Sequence, residues 1–578
     1  MSAPLKYNVS GRVLTDGSAE AIVAYANGLP FTASGRLAVD GLSAVATDYK
    51  GLWDASANTP DLTVVGAAGE FYIVSVAGTF GGVSYDVGDW IISDGTSWEK
   101  YTPPSDITTT GLPNIKPSLL LDFANSKTVD PRITYACASP VPYYDGRTVV
   151  KAEENLLLNS AVLVTQSRTV IAGDHTLSFT GTGTVTLSGA STSGPLVGTG
   201  VDDRVDLTFT TTAGSLTLTV SGDVRLAQLE QRDFVTAYTP TTTQPITRYQ
   251  PKLLSAPANT PVIDHGPVTG ECLGLASWGQ ATNRALYARD FSNAAWVKTD
   301  VSVTTGQIGL DGTAAACLLT ATAANGTIIQ DLGVVASALK TGEVYLKRYA
   351  GSGAVEITLN GGTTWIPVTI TSTGYTKVRI TGTLADEDFG IRLVVPGDAV
   401  FADYGGVFTG DYAGPPIKTE GSQVTRAATS CFVSTSNWLK FDSGTLCVDF
   451  QHKGSPIGTG SVASIGSASA STSRFMSVDI TSAGGLQAVS TSGLVFGTVT
   501  LDNFYKVALS VSSSGAIAAS SNGGNAITQT VTPSTEPRER MSIGSLGGVS
   551  TRTVNAYIKK IAYYPTASTA TELEALTS

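Results

Sequence analysis

Apolar and hydroxyl residues alternate along the middle of this chain with a period of two. His175-Thr-Leu177-Ser-Phe179-Thr, Thr184-Val185-Thr-Leu187-Ser, Val205-Asp-Leu207-Thr-Phe209-Thr and Leu216-Thr-Leu218-Thr-Val220-Ser place every second side chain on one face, the pattern of strands that bury one side. Threonine on the opposite face keeps strand propensity while staying wettable, and Gly181 to Gly183 and Ala213-Gly214 supply hairpin turns. An antiparallel β-sandwich is therefore predicted over 151–250. Similar strands around Glu343–Lys347, Val355–Leu359 and Val378–Ile380, with Asp311-Gly312 as a turn, predict a second sandwich within 251–427. A third is predicted over 428–578. There Thr445–Phe450, Phe475–Val478, Tyr505–Leu509 and Ala556–Tyr563 read as strands, and Thr569 with Glu572 forms a capping box that opens a short helix.

The first two modules share opening and closing signals. The stretch Glu271 to Trp296 runs from an extended lead through the pair Asn283-Arg284 into an apolar and aromatic segment, and Glu154-Asn155-Leu156-Leu157-Leu158-Asn159 holds the corresponding place upstream. Tyr238 to Arg248 closes the first module and Tyr412 to Arg426 the second. Paired signals around unequal interiors predict tandem domains of related type.

Ahead of these modules, β-branched and aromatic runs bounded by Gly and Asp-Gly turns predict a small Trp-rich β domain over 47–101, with Trp53, Trp90 and Trp98 sharing one core. Residues 102–150 read as a Pro/Thr-rich linker followed by a hairpin carrying Leu119–Phe123 and Asp130–Thr134. Residues 1–46, with the turn signal Asn27-Gly28 before Pro30, read as a disordered leader or a docking segment for a larger particle.

A chain of 578 residues exceeds what one hydrophobic core supports, so several domains are expected. Charged residues are sparse at 14%, and a net charge of −11 with no basic cluster argues against nucleic acid as a partner. No apolar run is long enough to cross a membrane as a helix, and no apolar signal core follows the first residues. Five cysteines without a C-x-x-C pair (Cys137, Cys272, Cys317, Cys431, Cys447) fit thiols buried as small apolar groups in a chain assembled in a reducing cytosol.

Chemistry is thinly signalled. The three histidines, His175, His265 and His452, lie far apart, and no zinc-helix, nucleophile-elbow, P-loop or dinucleotide motif occurs. Paired carboxylates of the glycosidase kind could come from Asp202 with Asp203, or from Asp386, Glu387 and Asp388, all read as solvated turn residues. Asp386 and Asp388 could also contribute to a Ca²⁺ site, although the D-x-D-x-D-G spacing is absent and neither metal nor cofactor is expected. The positive expectation is sugar binding by stacking, because an aromatic face covers the apolar side of a pyranose. Trp296, Trp365, Tyr404, Tyr412 and Trp438 are the candidate platforms, with Phe408 beside them.

The segments YKGLWDASANTPDL and GEFYIVSVAGTFGGVSYDVGDWIISDGTSWEKY, the DHTLSFTGTGTVTLSG module and the TNRALYARDFSNAAW module resemble parts of bacteriophage tail-fibre and head-fibre (spike) proteins. The closing NAYIKKIAYYPTASTATELEAL looks like the last strand and helix of concanavalin or laminin-G-like jelly rolls in the same proteins. Where that family commonly reads Asn-Leu-Leu, the second module reads Asn283-Arg284-Ala285-Leu286. The resemblance implies a virion fibre made in the host cytoplasm, usually a homotrimer. Its N-terminus would be held by tail or head proteins and its C-terminus directed at the host surface. The expectation is a non-enzymatic, multidomain all-β fibre subunit that attaches to host-surface polysaccharide without membrane insertion. A purely structural head fibre and a polysaccharide depolymerase are the alternatives.

Overall fold

The computed structural model describes residues 48–101 and 116–578, apart from a few short internal stretches, together with four short strands before residue 33. The chain is multidomain and nearly all β, and it divides into two compact units, Met1–Leu112 and Pro113–Ser578. Most of the predicted docking segment 1–46 and the connector 102–115 lie outside the described residues.

In the first unit, Asp48–Asp54 runs parallel to Glu70–Val76, and Trp90–Ser93 and Trp98–Tyr101 continue the sheet antiparallel. Trp53 is fully buried against Leu62, Val74, Tyr85 and Ile91, with Trp98 packed at the edge of that core. Trp90 departs from the expected single core. It stacks on Phe71 at 4.8 Å on the sheet's other face, because Trp90 and Ile91 are consecutive in one strand and point to opposite sides.

The predicted first sandwich forms as two small sheets. One orders Gln166–Val170, Gly214–Ser221, Thr184–Gly189 and Leu196–Val197; the other places Gly173–Gly181 between Gly200–Thr211 and Val224–Glu230. Leu177, Phe179, Val185, Leu187, Phe209, Leu216 and Leu218 fill the space between them, each burial stabilising by about 1.5–3 kcal/mol. The hydroxyl face stays wet in the first sheet, where Thr186, Ser188 and Thr219 are exposed. It does not in the second, where Thr176, Ser178 and Thr180 are buried. The stretch just before Tyr238 engages Thr176 and Ser178, with Thr176 donating to Arg232 O and Arg204 bridging Ser178 Oγ to Thr236 O, while Thr180 donates to Arg225 O on the neighbouring strand.

The second module is one eight-stranded antiparallel sheet folded over a core. Its longest strand, Gly326–Ala350, pairs along its length with Thr376–Leu393 and, in its second half, with Ala399–Thr409. Register breaks between Asp331 and Ala338 let Ile328 from one half meet Val344 and Leu346 from the other in the same core.

The third sandwich is larger than its predicted stretch. Its two sheets are built on Gly444–His452, Phe504–Val511 and Ala556–Tyr564 in one layer, and on Gly460–Gly466, Arg474–Ile480 and Arg540–Ile543 in the other. Leu119–Asp122, read from sequence as half of a hairpin, instead pairs with Lys560 to Tyr563. Ile133–Ala136 pairs with Ser430–Val433, and Cys272–Ser277 pairs with Ala556–Ile558. Leu119 and Leu121 are apolar on alternate positions, and the edges that accept them lie hundreds of residues away, so no local signal exposes the pairing. Both smaller modules are thus insertions between strands of this sandwich. The capped helix Ala570–Thr577 forms as predicted, with Thr569 and Glu572 in reciprocal hydrogen bonds and Leu573 buried.

Candidate functional site

The opening motif works through one side chain in each module. Asn283 is buried; its Nδ2 donates to Gly405 O at 3.2 Å and Ile417 O at 2.8 Å, and its Oδ1 accepts from Ala285 N at 3.1 Å and Val407 N at 3.0 Å. Asn155 repeats the pattern with Ala227 O, Thr239 O, Leu157 N and Leu229 N. Each amide satisfies all four of its hydrogen-bonding positions. Gln166 then clamps the backbone of Leu158, and Gln330 that of Leu286, while Thr241 and Thr419 donate to Leu157 O and Ala285 O. Left-handed backbone recurs too, at Asn159 and Leu226 in the first module and Tyr287 and Tyr404 in the second. Opening and closing signals are therefore one device, which ties the entry of a module to its exit.

In the second module this device shapes a pocket of about 490 Å³, lined by Tyr287, Arg289, Asp290 and Ser292 from the opening loop and by Lys418, Thr419 and Glu420 from the closing one. Thr305, Gly306, Ala314, Ala315 and Cys317 complete it. The two loops are stitched by Tyr287 N to Glu420 O at 2.9 Å and Ala288 N to Thr419 Oγ1 at 3.1 Å. Lys298 Nζ holds the opening loop from behind, donating to Ser292 O and Asn293 O at 2.7 Å each. Such anchoring lowers the ordering cost of taking up a ligand. Tyr287 offers a half-exposed ring, and Asp290, Glu420 and Lys418 offer charged acceptors and a donor around it. Burial pushes the Cys317 thiol up to about 11, so it stays protonated and unreactive at neutral pH.

Arg289 forms the floor. It is buried, its Nε and Nη2 bind Asp403 at 2.7 and 3.0 Å, its Nη1 and Nη2 bind Asp311 at 2.6 and 2.8 Å, and Nη1 reaches Thr313 Oγ1 at 3.3 Å. The guanidinium also lies 4.5 Å from the ring centre of Tyr404. Burial raises the Asp403 carboxyl against the pull of Arg289. In half-buried Asp311 desolvation is the largest single effect, but the hydrogen bonds and charge of Arg289 together with the hydrogen bonds from Thr313 hold the carboxyl below its ordinary value.

The aromatics picked from sequence are placed otherwise. Trp296 is 0% exposed, wedged between Phe291 and Phe389, with its Nε1 donating to Tyr287 O. Phe408 and Tyr412 stack on each other at 4.2 Å in the interior, and the Tyr412 hydroxyl is engaged by Pro415 O and Arg426. Trp438 is a core residue of the third sandwich, edge-on to Tyr563 at 5.3 Å. Tyr404 lies under Arg289 with 9% exposure. None of these five can offer a ring face to a sugar, because packing neighbours already occupy it. Trp365 is half-exposed, but Arg392, itself paired with Glu356, covers one face at 4.7 Å. Tyr287, which lies within the Glu271–Trp296 stretch but not among the candidate rings, is the aromatic residue that lines this pocket.

The carboxylate candidates also separate. Asp202 and Asp203 are exposed on a strand rather than in a turn. Glu387 is buried with Arg284 at 2.8 Å and Lys340 at 3.5 Å. Asp386 and Asp388, on the strand Thr376–Leu393, meet Asp331 of the neighbouring strand with ligand oxygens within 4.8 Å of one another. Burial and then the charges of Asp331 and Asp386 raise the Asp388 carboxyl. These three are oxygen donors of the type hard divalent cations accept.

No protein-family model matches the chain, and no curated protein matches it. Solved structures give partial likenesses. The CBM40 module of the Ruminococcus gnavus IT-sialidase is 18% identical over 24% of this chain and 84% of its own, with a TM-score of 0.21. Trypanosoma rangeli sialidase, in complex with a difluorinated nononic acid, is 11% identical over 40% and 32%, with a TM-score of 0.23. Domain 4 of a GH43 extracellular arabinanase from Geobacillus stearothermophilus, in complex with arabinotriose, is 12% identical over 29% and 86%, with a TM-score of 0.21.

Proposed function

We propose that this chain is a glycan-recognising attachment subunit of a bacteriophage fibre, carried on the virion through its N-terminal region and assembled as a homotrimer. The observation that carries the recognition half is the anchored pocket around Tyr287, where an aromatic ring, two carboxylates and an ammonium converge on loops fixed by the Asn283 device. A pyranose laid on the Tyr287 ring would donate its hydroxyls to Asp290 and Glu420, charge-assisted bonds stronger than neutral ones. The virion half rests on the sequence resemblance. Repetition over three subunits and several fibres would raise weak single-site affinity by about 10² to 10⁴.

The test is glycan-array and whole-cell binding by the full chain and by Tyr287→Asn, which removes the ring while tolerating the left-handed backbone. Binding by the parent that the variant loses supports the reading, and equal binding overturns it. Reducing-end release from a bound polysaccharide would replace attachment with depolymerase activity. Light scattering that reports a monomer at micromolar concentration would remove the trimer.

A further inference from the structure

We infer that the pocket takes uncharged glycans and rejects sugars bearing a carboxylate, such as sialic or uronic acids. The inference rests on the glycan reading of this pocket and narrows it to one chemical class. An arginine in a sugar pocket normally signals an acidic ligand, because its fork of N–H groups matches a carboxylate. Arg289 cannot play that part. All five of its N–H groups are spent on Asp403, Asp311 and Thr313, and Tyr404 covers its face. Freeing it would leave the fully buried Asp403 carboxylate without its cation, a loss that a surface-bound sugar acid does not compensate.

The other cation lining the pocket is Lys418, and it pairs with Glu420 at 3.0 Å. Around the pocket, its floor and the back of its opening loop, Arg289, Lys418 and Lys298 stand against Asp290, Asp311, Asp403 and Glu420, one negative charge in excess. The field is negative, on a chain of net charge −11. An incoming carboxylate meets repulsion and finds one exposed ammonium already shared. A neutral sugar instead brings hydroxyl donors to carboxylate acceptors, and its binding owes little to long-range charge.

The experiment is titration calorimetry of the full chain with neutral oligosaccharides that score on an array, each beside its sialylated or uronic-acid counterpart, at low and high salt. The expected result is binding of the neutral member, weakened at least tenfold in its acidic counterpart and nearly independent of salt. Asp290→Asn combined with Glu420→Gln should narrow that gap, since it removes the repelling charges while keeping the side-chain shapes. Equal or tighter binding of the acidic member, lost in Tyr287→Asn, overturns the inference while leaving the glycan reading intact. Binding of neither class, or binding indifferent to Tyr287→Asn, overturns both.

Discussion

Replacing Asn283 with alanine tests whether the shared opening motif fastens each module. The substitution deprives Ala285 N, Val407 N, Gly405 O and Ile417 O of their partners in a region closed to solvent. A buried polar group left unpaired costs about 1–3 kcal/mol. With water reaching some of the four, a local loss of about 3–5 kcal/mol is expected. Global unfolding is a poor measure here, because several domains need not melt as one. Native-state hydrogen exchange is the better assay, and about 3 kcal/mol corresponds to roughly a hundredfold faster exchange at Ala285 and Val407. Asn155→Ala should accelerate Leu157 and Leu229 by a similar factor, since it holds the same four positions. Only Asn283→Ala should weaken glycan binding. Less than a tenfold change in exchange at both sites would refute the assignment of these amides as fasteners.

Arg289→Met strips the cation from buried Asp403 and should cost about 3–5 kcal/mol, read as faster native-state hydrogen exchange at Leu310 and Tyr404, whose amides bond that carboxylate. Asp264 is fully buried, accepts from Tyr144 N, His265 N and the Tyr557 hydroxyl, and burial raises it to about 6. Its folded value exceeds its unfolded one, so its contribution favours folding below about pH 4 and is lost as the pH rises toward 6. The difference in stability between parent and Asp264→Asn, followed by thermal shift from pH 4 to 7, should move by about 3 kcal/mol against the parent. Trp296→Ala should cost about 3–5 kcal/mol as a core cavity, seen as faster native-state hydrogen exchange in the second module with the first module unchanged.

Period-two patterning exposed the strands because burying one face of a sheet imposes alternation locally, and the Asn155 and Asn283 motifs showed because their closing partners follow within the same module. What lay beyond reach was pairing set by distance in space. Nothing near Leu119 announces Tyr563, and nothing near Asp386 announces Asp331. The same limit misplaced the aromatics. Trp296 and Tyr412 carry the residue type of a sugar platform, but which rings remain uncovered depends on how the sheets fold over them. Tyr287 belongs to a notable stretch, yet its place in the pocket follows from loops brought together by hydrogen bonds to Thr419 and Glu420.

The strand Ala556–Tyr564 joins Leu119–Asp122, Cys272–Ser277 and Gly444–His452 within one layer. During synthesis, then, early strands wait for a partner that emerges some 445 residues later, as the spacing of Ser118 and Tyr563 shows. The two inserted modules meanwhile hold their main cores within themselves, Leu157 to Leu229 in the first and Phe291 to Val407 in the second, and can close first. A premature stop just ahead of Ala556 would leave both modules intact but hanging from a frame with no latch, its strand edges open to neighbouring chains. Soluble but sticky truncation products, rather than unfolded ones, are what such a nonsense mutation should yield.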